Sequence, residues 1–137
     1  MNGQLRKLTQ SLTKRSGATS SIVAQAMSLL GVTPPADYVE FLLESNGAEG
    51  FLSGGRYLML EPAEQLVPCN EPYGLGPSGP GLVAFGSDGG TMLYAFDIRQ
   101  SPLRIVEVDA TLMENGPTTL CGDTFIDFLK HLNGSMD

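Results

Sequence analysis

Phe85-Gly86-Ser87-Asp88-Gly89-Gly90-Thr91-Met92-Leu93-Tyr94-Ala95-Phe96-Asp97 places an apolar run on each side of four small, turn-forming residues. Glycine tolerates positive φ and aspartate bonds its own following backbone, so Ser87 to Gly90 let the chain reverse tightly between antiparallel strands. A β-hairpin is the physical reading. In its second arm Met92, Tyr94, Phe96 and Ile98 fall on one side, and Thr91, Leu93, Ala95 and Asp97 on the other. The first set makes a core face; the second is only partly apolar and is expected to stay open. Further strands are expected over residues 57–60, 82–85 and 103–108, with a short helical turn over 61–67.

Outside these strands the apolar spacing lengthens to three and four. Ser20 or Ser21 is placed to cap a helix carrying Ile22, Val23, Ala26, Met27, Leu29 and Leu30, with Gly31 as its stop. Pro34 or Pro35 then suits the first turn of a second helix, and Asp37 meets the positive end of that helix's dipole. Tyr38, Phe41 and Leu42 keep helical spacing as far as Asn46-Gly47, a left-handed stop. Near the C-terminus Thr124 and Asp127 have capping-box spacing ahead of Phe125, Phe128, Leu129 and Leu132. Helices, a strand meander and a closing helix make an α+β fold, with an antiparallel sheet covered by helices on one face. Residues 20–137 form that domain. Residues 1–19 read as a basic extension, in which Leu5, Leu8 and Leu12 share a helical face and 16–19 act as a flexible joint.

The 137 residues carry 8 basic and 15 acidic side chains, a net charge of −7. Arg6, Lys7, Lys14 and Arg15 all precede residue 16, so the remaining chain holds four basic against fifteen acidic residues. A field of that sign opposes DNA or RNA and favours the approach of a basic partner. No run approaches the ~18 apolar residues of a membrane span. The N-terminus lacks the apolar segment of an ordinary signal peptide, and two distant cysteines, Cys69 and Cys121, suit free thiols in a reducing cytosol. A cytoplasmic domain touching neither nucleic acid nor membrane is expected.

The chemistry-bearing residues form no recognisable catalytic set. Residues 74–79 spell Gly-x-Gly-x-x-Gly, but Pro77 and Pro80 interrupt the helix that a dinucleotide loop requires, and Leu82 starts a strand. Residues 68–81 read instead as a mobile loop. Ser87 lacks the first glycine of a nucleophile elbow, and Ser11 to Lys14 matches Ser-x-x-Lys by spelling alone. His131, the single histidine, follows Asp127 by one helical turn without a nucleophile beside it. With so few nitrogen and sulfur ligands, neither a metal nor a cofactor is expected. Carboxylates at strand ends, Asp88, Asp97, Glu107 and Asp109, are placed to converge at one rim of the sheet. Phe51, Tyr57 and Tyr73 lie in loops or at strand edges, where aromatics anchor interfaces.

The hairpin resembles the signature hairpin of the SUKH superfamily, the Smi/Knr-like domains named after a fungal cell-wall regulator. Pro35, Asp37, Tyr38, Phe41, Asn46 and Gly47 are similar to that family's Pro-x-Asp-Tyr helix ending in Asn-Gly, and residues 123–129 to its closing helix. The resemblance spans residues 20 to 132 and implies a non-catalytic binding domain. Many bacterial members are immunity proteins that neutralise a polymorphic toxin, so it also implies a protein partner, a basic toxin domain blocked sterically and electrostatically. The contact set expected for such a partner is Phe51, Tyr57, Tyr73, Asp88, Asp97, Glu107 and Asp109. The alternative is a regulatory scaffold like the fungal members, and the third class is a hydrolase with dispersed carboxylates. The tryptophan common in the family is absent from this chain.

Overall fold

The computed structural model describes residues 2–74, 79–112 and 116–134. Among them an antiparallel sheet of seven strands runs in simple chain order. The strands are β1 (Thr13–Lys14), β2 (Ala48–Phe51), β3 (Tyr57–Leu60), β4 (Leu82–Ser87), β5 (Met92–Asp97), β6 (Arg104–Asp109) and β7 (Thr118–Gly122). The described helices are α1 (Gly3–Leu8), α2 (Ser20–Leu30), α3 (Ala36–Glu44), α4 (Ala63–Asn70) and α5 (Phe125–Leu132). This is a single α+β domain.

The hairpin forms as its residues dictate. Leu82 pairs with Asp97 at the open end and Ser87 with Leu93 near the turn. The Asp88 carboxylate builds the reversal by accepting from the amides of Gly90 at 2.8 Å and Met92 at 3.3 Å. Phe85 alternates with Val83 and so joins Tyr94 and Phe96 on the core face, while a register shift between Ala84 and Gly86 leaves it unpaired. There Phe85 stacks on Phe96 at 4.5 Å, and Tyr38 of α3 sets its ring edge-on to Phe85, Phe96 and Phe125 at 5.1 to 5.4 Å. Phe41 and Phe128 complete this aromatic centre, fully buried like the others. Each ring contributes about 1.5–3 kcal/mol by leaving water.

The opposite face is not open at its middle. Leu82, Ala95, Val106 and Val108 are buried there as a second, smaller cluster, with Tyr73 and Leu93 packed against it. The alternation places those side chains correctly, but Leu82, Val106 and Val108 make the face apolar enough to need cover. The segment read as a loop from residue 68 supplies some of it. Pro68 lies inside α4, and Glu71–Tyr73 form a 3-10 turn that sets Tyr73 on the cluster. The rest of the glycine-rich motif, residues 75–78, lies outside the described residues.

Two helices take their caps from α3 and the turn after it. Asp37 sits in the first turn of α3, but its carboxylate accepts from the amides of Phe125 at 3.0 Å and Ile126 at 2.8 Å, at the start of α5. Those amides have no partner within their own helix. The local cap is half a capping box: Thr124 Oγ1 accepts from Asp127 N at 3.1 Å. Asn46 does the same for α4, which follows Pro62 and has no side-chain cap of its own. Its Oδ1 accepts from Ala63 N and its Nδ2 donates to Glu64, both at 2.7 Å. At the other end of α4, buried Asn70 bonds both backbone groups of Ala84, at 2.8 and 2.9 Å. It stands in for a neighbouring strand where β3 shares only two pairs with β4. α2 is capped by Thr19, one residue before the expected serines, because the hydroxyl three residues ahead of Ile22 N reaches it.

Residues 2–19 are woven into the body. Leu5 and Leu12 belong to the main core, and β1 pairs with β2. The expected flexible joint is instead pinned. Ala18 N donates to Leu42 O at 2.9 Å, Asn46 N to Ser16 O at 3.0 Å, and Arg15 N to Ser45 Oγ at 3.0 Å. Glycine is required at position 17 because a Cβ there would lie 1.9 Å from the Leu43 carbonyl oxygen. No helix among the described residues is long and apolar enough to cross a membrane.

Candidate functional site

The turn end of the sheet gathers most of the residues expected to make contacts. Phe51 closes β2 with 65% of its surface exposed and meets the ring of its cross-strand partner Tyr57 at 5.0 Å, edge to face. The Tyr57 hydroxyl donates to Glu49, which raises its pKa above the usual phenol range. The Tyr57 ring also lies against Gly89 in the next turn. An aromatic pair is thus held in place by two neighbours, Glu49 and Gly89, while its outer member faces water.

Further carboxylates stand at the same end of the sheet, with Glu107 and Asp109 on the face opposite the aromatic pair. Asp88 shapes the β4–β5 turn, and Asp109 lies across from Met92 at the same end of β6, accepting from Thr111 N at 2.9 Å and Thr111 Oγ1 at 2.7 Å. These bonds hold the Asp109 carboxyl below the usual carboxylate range. Glu107 pairs across with Tyr94 and stands 3.9 Å from Arg56 Nη1. A cavity of about 230 Å³ is lined by Arg56, Tyr57, Asp88 and Tyr94. The Tyr94 hydroxyl is buried without a well-formed hydrogen bond, although the Arg56 guanidinium lies close enough to act on it as a donor. Burial pushes its pKa up to about 12, with Glu107 adding to the rise and Arg56 opposing it.

Asp97 and Tyr73 do not join this group. Asp97 ends the other end of β5, is 4% exposed, and spends its oxygens on Arg99 Nε at 2.9 Å, Arg99 Nη2 at 3.0 Å and Arg99 N at 3.0 Å. It orders the β5–β6 turn, so the expected convergence of four carboxylates at one rim fails at this residue. Tyr73 packs on the second-face cluster. Arg56, Tyr94 and Glu49 were not singled out by sequence. Arg56 carried one legible signal, as one of four cations in the acidic part of the chain, next to an edge tyrosine.

Other candidate chemistry stays apart. Cys69 and Cys121 are free thiols, His131 sits in the last turn of α5, and no group of three or more metal-ligating side chains assembles among the described residues. The larger clefts have plainer linings. One of about 520 Å³ runs past Pro34, Pro35, Pro102 and Asp123, and another of about 430 Å³ past Lys7 and Lys130.

The model of the SMI1/KNR4 family (SUKH-1) matches residues 17–131 of the chain. No curated protein matches it.

Proposed function

The chain belongs to the SMI1/KNR4 family (SUKH-1), and on that premise we propose that it is a cytoplasmic immunity protein that binds and blocks a basic bacterial toxin domain without catalysing a reaction. One observation carries the reading. An exposed aromatic, Phe51, is braced by Tyr57, whose hydroxyl donates to Glu49, and Asp88, Glu107 and Asp109 stand at the same turn end of a body with a large acidic excess. Aromatic anchors supply contact area, and the surrounding charge steers a cationic partner and disfavours wrong ones. A toxin that works on nucleic acid presents a positive surface where phosphates bind, and an acidic face of this kind competes for it.

The test pairs the domain with any basic toxin domain found encoded beside its gene. Stoichiometric addition is expected to abolish toxin activity, and Phe51→Ala to weaken binding by about 1–3 kcal/mol while leaving the melting temperature unchanged. Neutralising Asp88, Glu107 and Asp109 as amides slows association more at low salt than at high salt. Equal slowing at both salts rejects electrostatic steering. Turnover of any substrate by the domain alone, abolished by a point change that leaves the fold intact, rejects the binding role altogether.

A further inference from the structure

Resting on the reading that the partner is a basic protein, we propose that the cavity between Arg56, Tyr57, Asp88 and Tyr94 is a subsite for one arginine side chain of that partner, whose guanidinium displaces Arg56 from Glu107. The first ground is the Tyr94 hydroxyl. It belongs to a residue with 0% exposure and makes no well-formed hydrogen bond, only a loose approach from the Arg56 guanidinium, a rare state for a buried polar group. The charges that act on it are those of Glu107, Asp88 and Arg56, so it faces the charged lining of the cavity. A hydroxyl both donates and accepts. With a guanidinium in the cavity, its oxygen accepts an N–H while its proton turns to a carboxylate.

Arg56 shows what chemistry the place takes. Its guanidinium stands 3.9 Å from the Glu107 carboxylate, a long contact, and its side chain is half exposed. Such a pair is weak and exchanges readily. Asp88 Oδ1 is tied to the turn amides, which fixes the carboxylate in position. Tyr57 also lines the cavity, and its side chain is held by Glu49, Phe51 and Gly89. Asp88 in the lining and Glu107 beside Arg56 set two carboxylates against one displaceable cation.

Nitrogen-15 NMR titration of the full chain with Nα-acetyl-arginine methylamide tests this, with the citrulline analogue as an uncharged probe of the same shape. Saturable shifts confined to the amides of Arg56, Gly89 and Gly90 are expected, with affinity at least about fivefold above citrulline, in line with charge-assisted bonding. Arg56→Gln tightens binding, because the internal competitor is gone. Tyr94→Phe weakens it about fivefold with little change in the melting temperature, since the hydroxyl it removes has only the loose approach of Arg56 in the free protein. Equal binding of the two probes, weakening by Arg56→Gln, or a Tyr94→Phe protein that binds unchanged would each overturn the subsite. The outcomes separate the two readings. Arginine saturation alongside an uninhibited toxin supports the subsite and removes the immunity role; toxin inhibition without saturation overturns the subsite alone.

Discussion

Removing the Asp37 carboxylate is expected to damage a helix that begins 88 residues later in the chain. It accepts two amide hydrogens at the start of α5, at 3.0 and 2.8 Å, and hydrogen bonds to a charged group are worth about 1.5–3 kcal/mol each. The site is only partly buried, so water satisfies some of what the variant exposes. Thr124 still caps Asp127 N. A net loss of about 2–4 kcal/mol is expected for Asp37→Ala, against about 1 kcal/mol for Thr124→Ala, a typical local cap. Asp37→Asn keeps an acceptor but no charge and falls between them. Urea denaturation measures these values, with an unchanged m as evidence that the unfolded state is unaltered. Hydrogen exchange provides the local readout, because the amides of Phe125 and Ile126 lose protection first. An Asp37→Ala loss below about 0.5 kcal/mol, no more than an ordinary surface substitution, would refute the capping argument.

Other expectations follow from single contacts. Gly17→Ala drives a methyl into the Leu43 carbonyl and costs at least about 2 kcal/mol, since backbone cannot give way as a side chain does; an unchanged melt would contradict this. The Arg99 guanidinium holds the Asp97 carboxyl below its usual range despite burial. The stabilisation this represents is present above about pH 4 and is lost as pH falls through the lowered folded value. The stability difference between wild type and Asp97→Asn therefore shrinks in acid, and a difference constant from pH 7 to pH 2 would disprove it. Burial pushes the Cys121 thiol up to about 11 and also raises that of Cys69. Ellman's reagent at pH 8 is expected to label Cys69 slowly and Cys121 only on unfolding. Prompt reaction of both thiols would refute the assignment.

Local rules explain why some elements were legible and others not. The β4–β5 hairpin, α2 and α5 announce themselves through spacing and turn residues that act within a few positions. Ala48-Glu49-Gly50-Phe51 has poor strand propensity and becomes β2 by pairing with β3 and β1. Thr13–Lys14 is too short to read. The β-branched pair Thr118-Thr119 did carry a signal for β7 that the reading passed over. At the site, Phe51, Tyr57 and Asp88 were visible as edge aromatics and a turn acid. Tyr94 was assigned to the core by its alternation, and its ring does pack there against Phe128 at 5.1 Å. The poorly paired hydroxyl at its tip meets Arg56 of the β2–β3 turn, a long-range approach that no local pattern encodes.

Because α3 and its closing turn hold the anchors for both later helices, the order of synthesis matches the order of assembly. Asp37 and Asn46 leave the ribosome before the amides they receive, so each new segment docks onto a receptor already made. α5, the last described helix, closes the domain by returning to a residue translated 88 positions earlier. A circular permutant beginning at residue 48 reverses that sequence, and its α4 and α5 emerge with no receptor waiting. Its native state should keep the same contacts while it collapses more slowly and aggregates more on refolding.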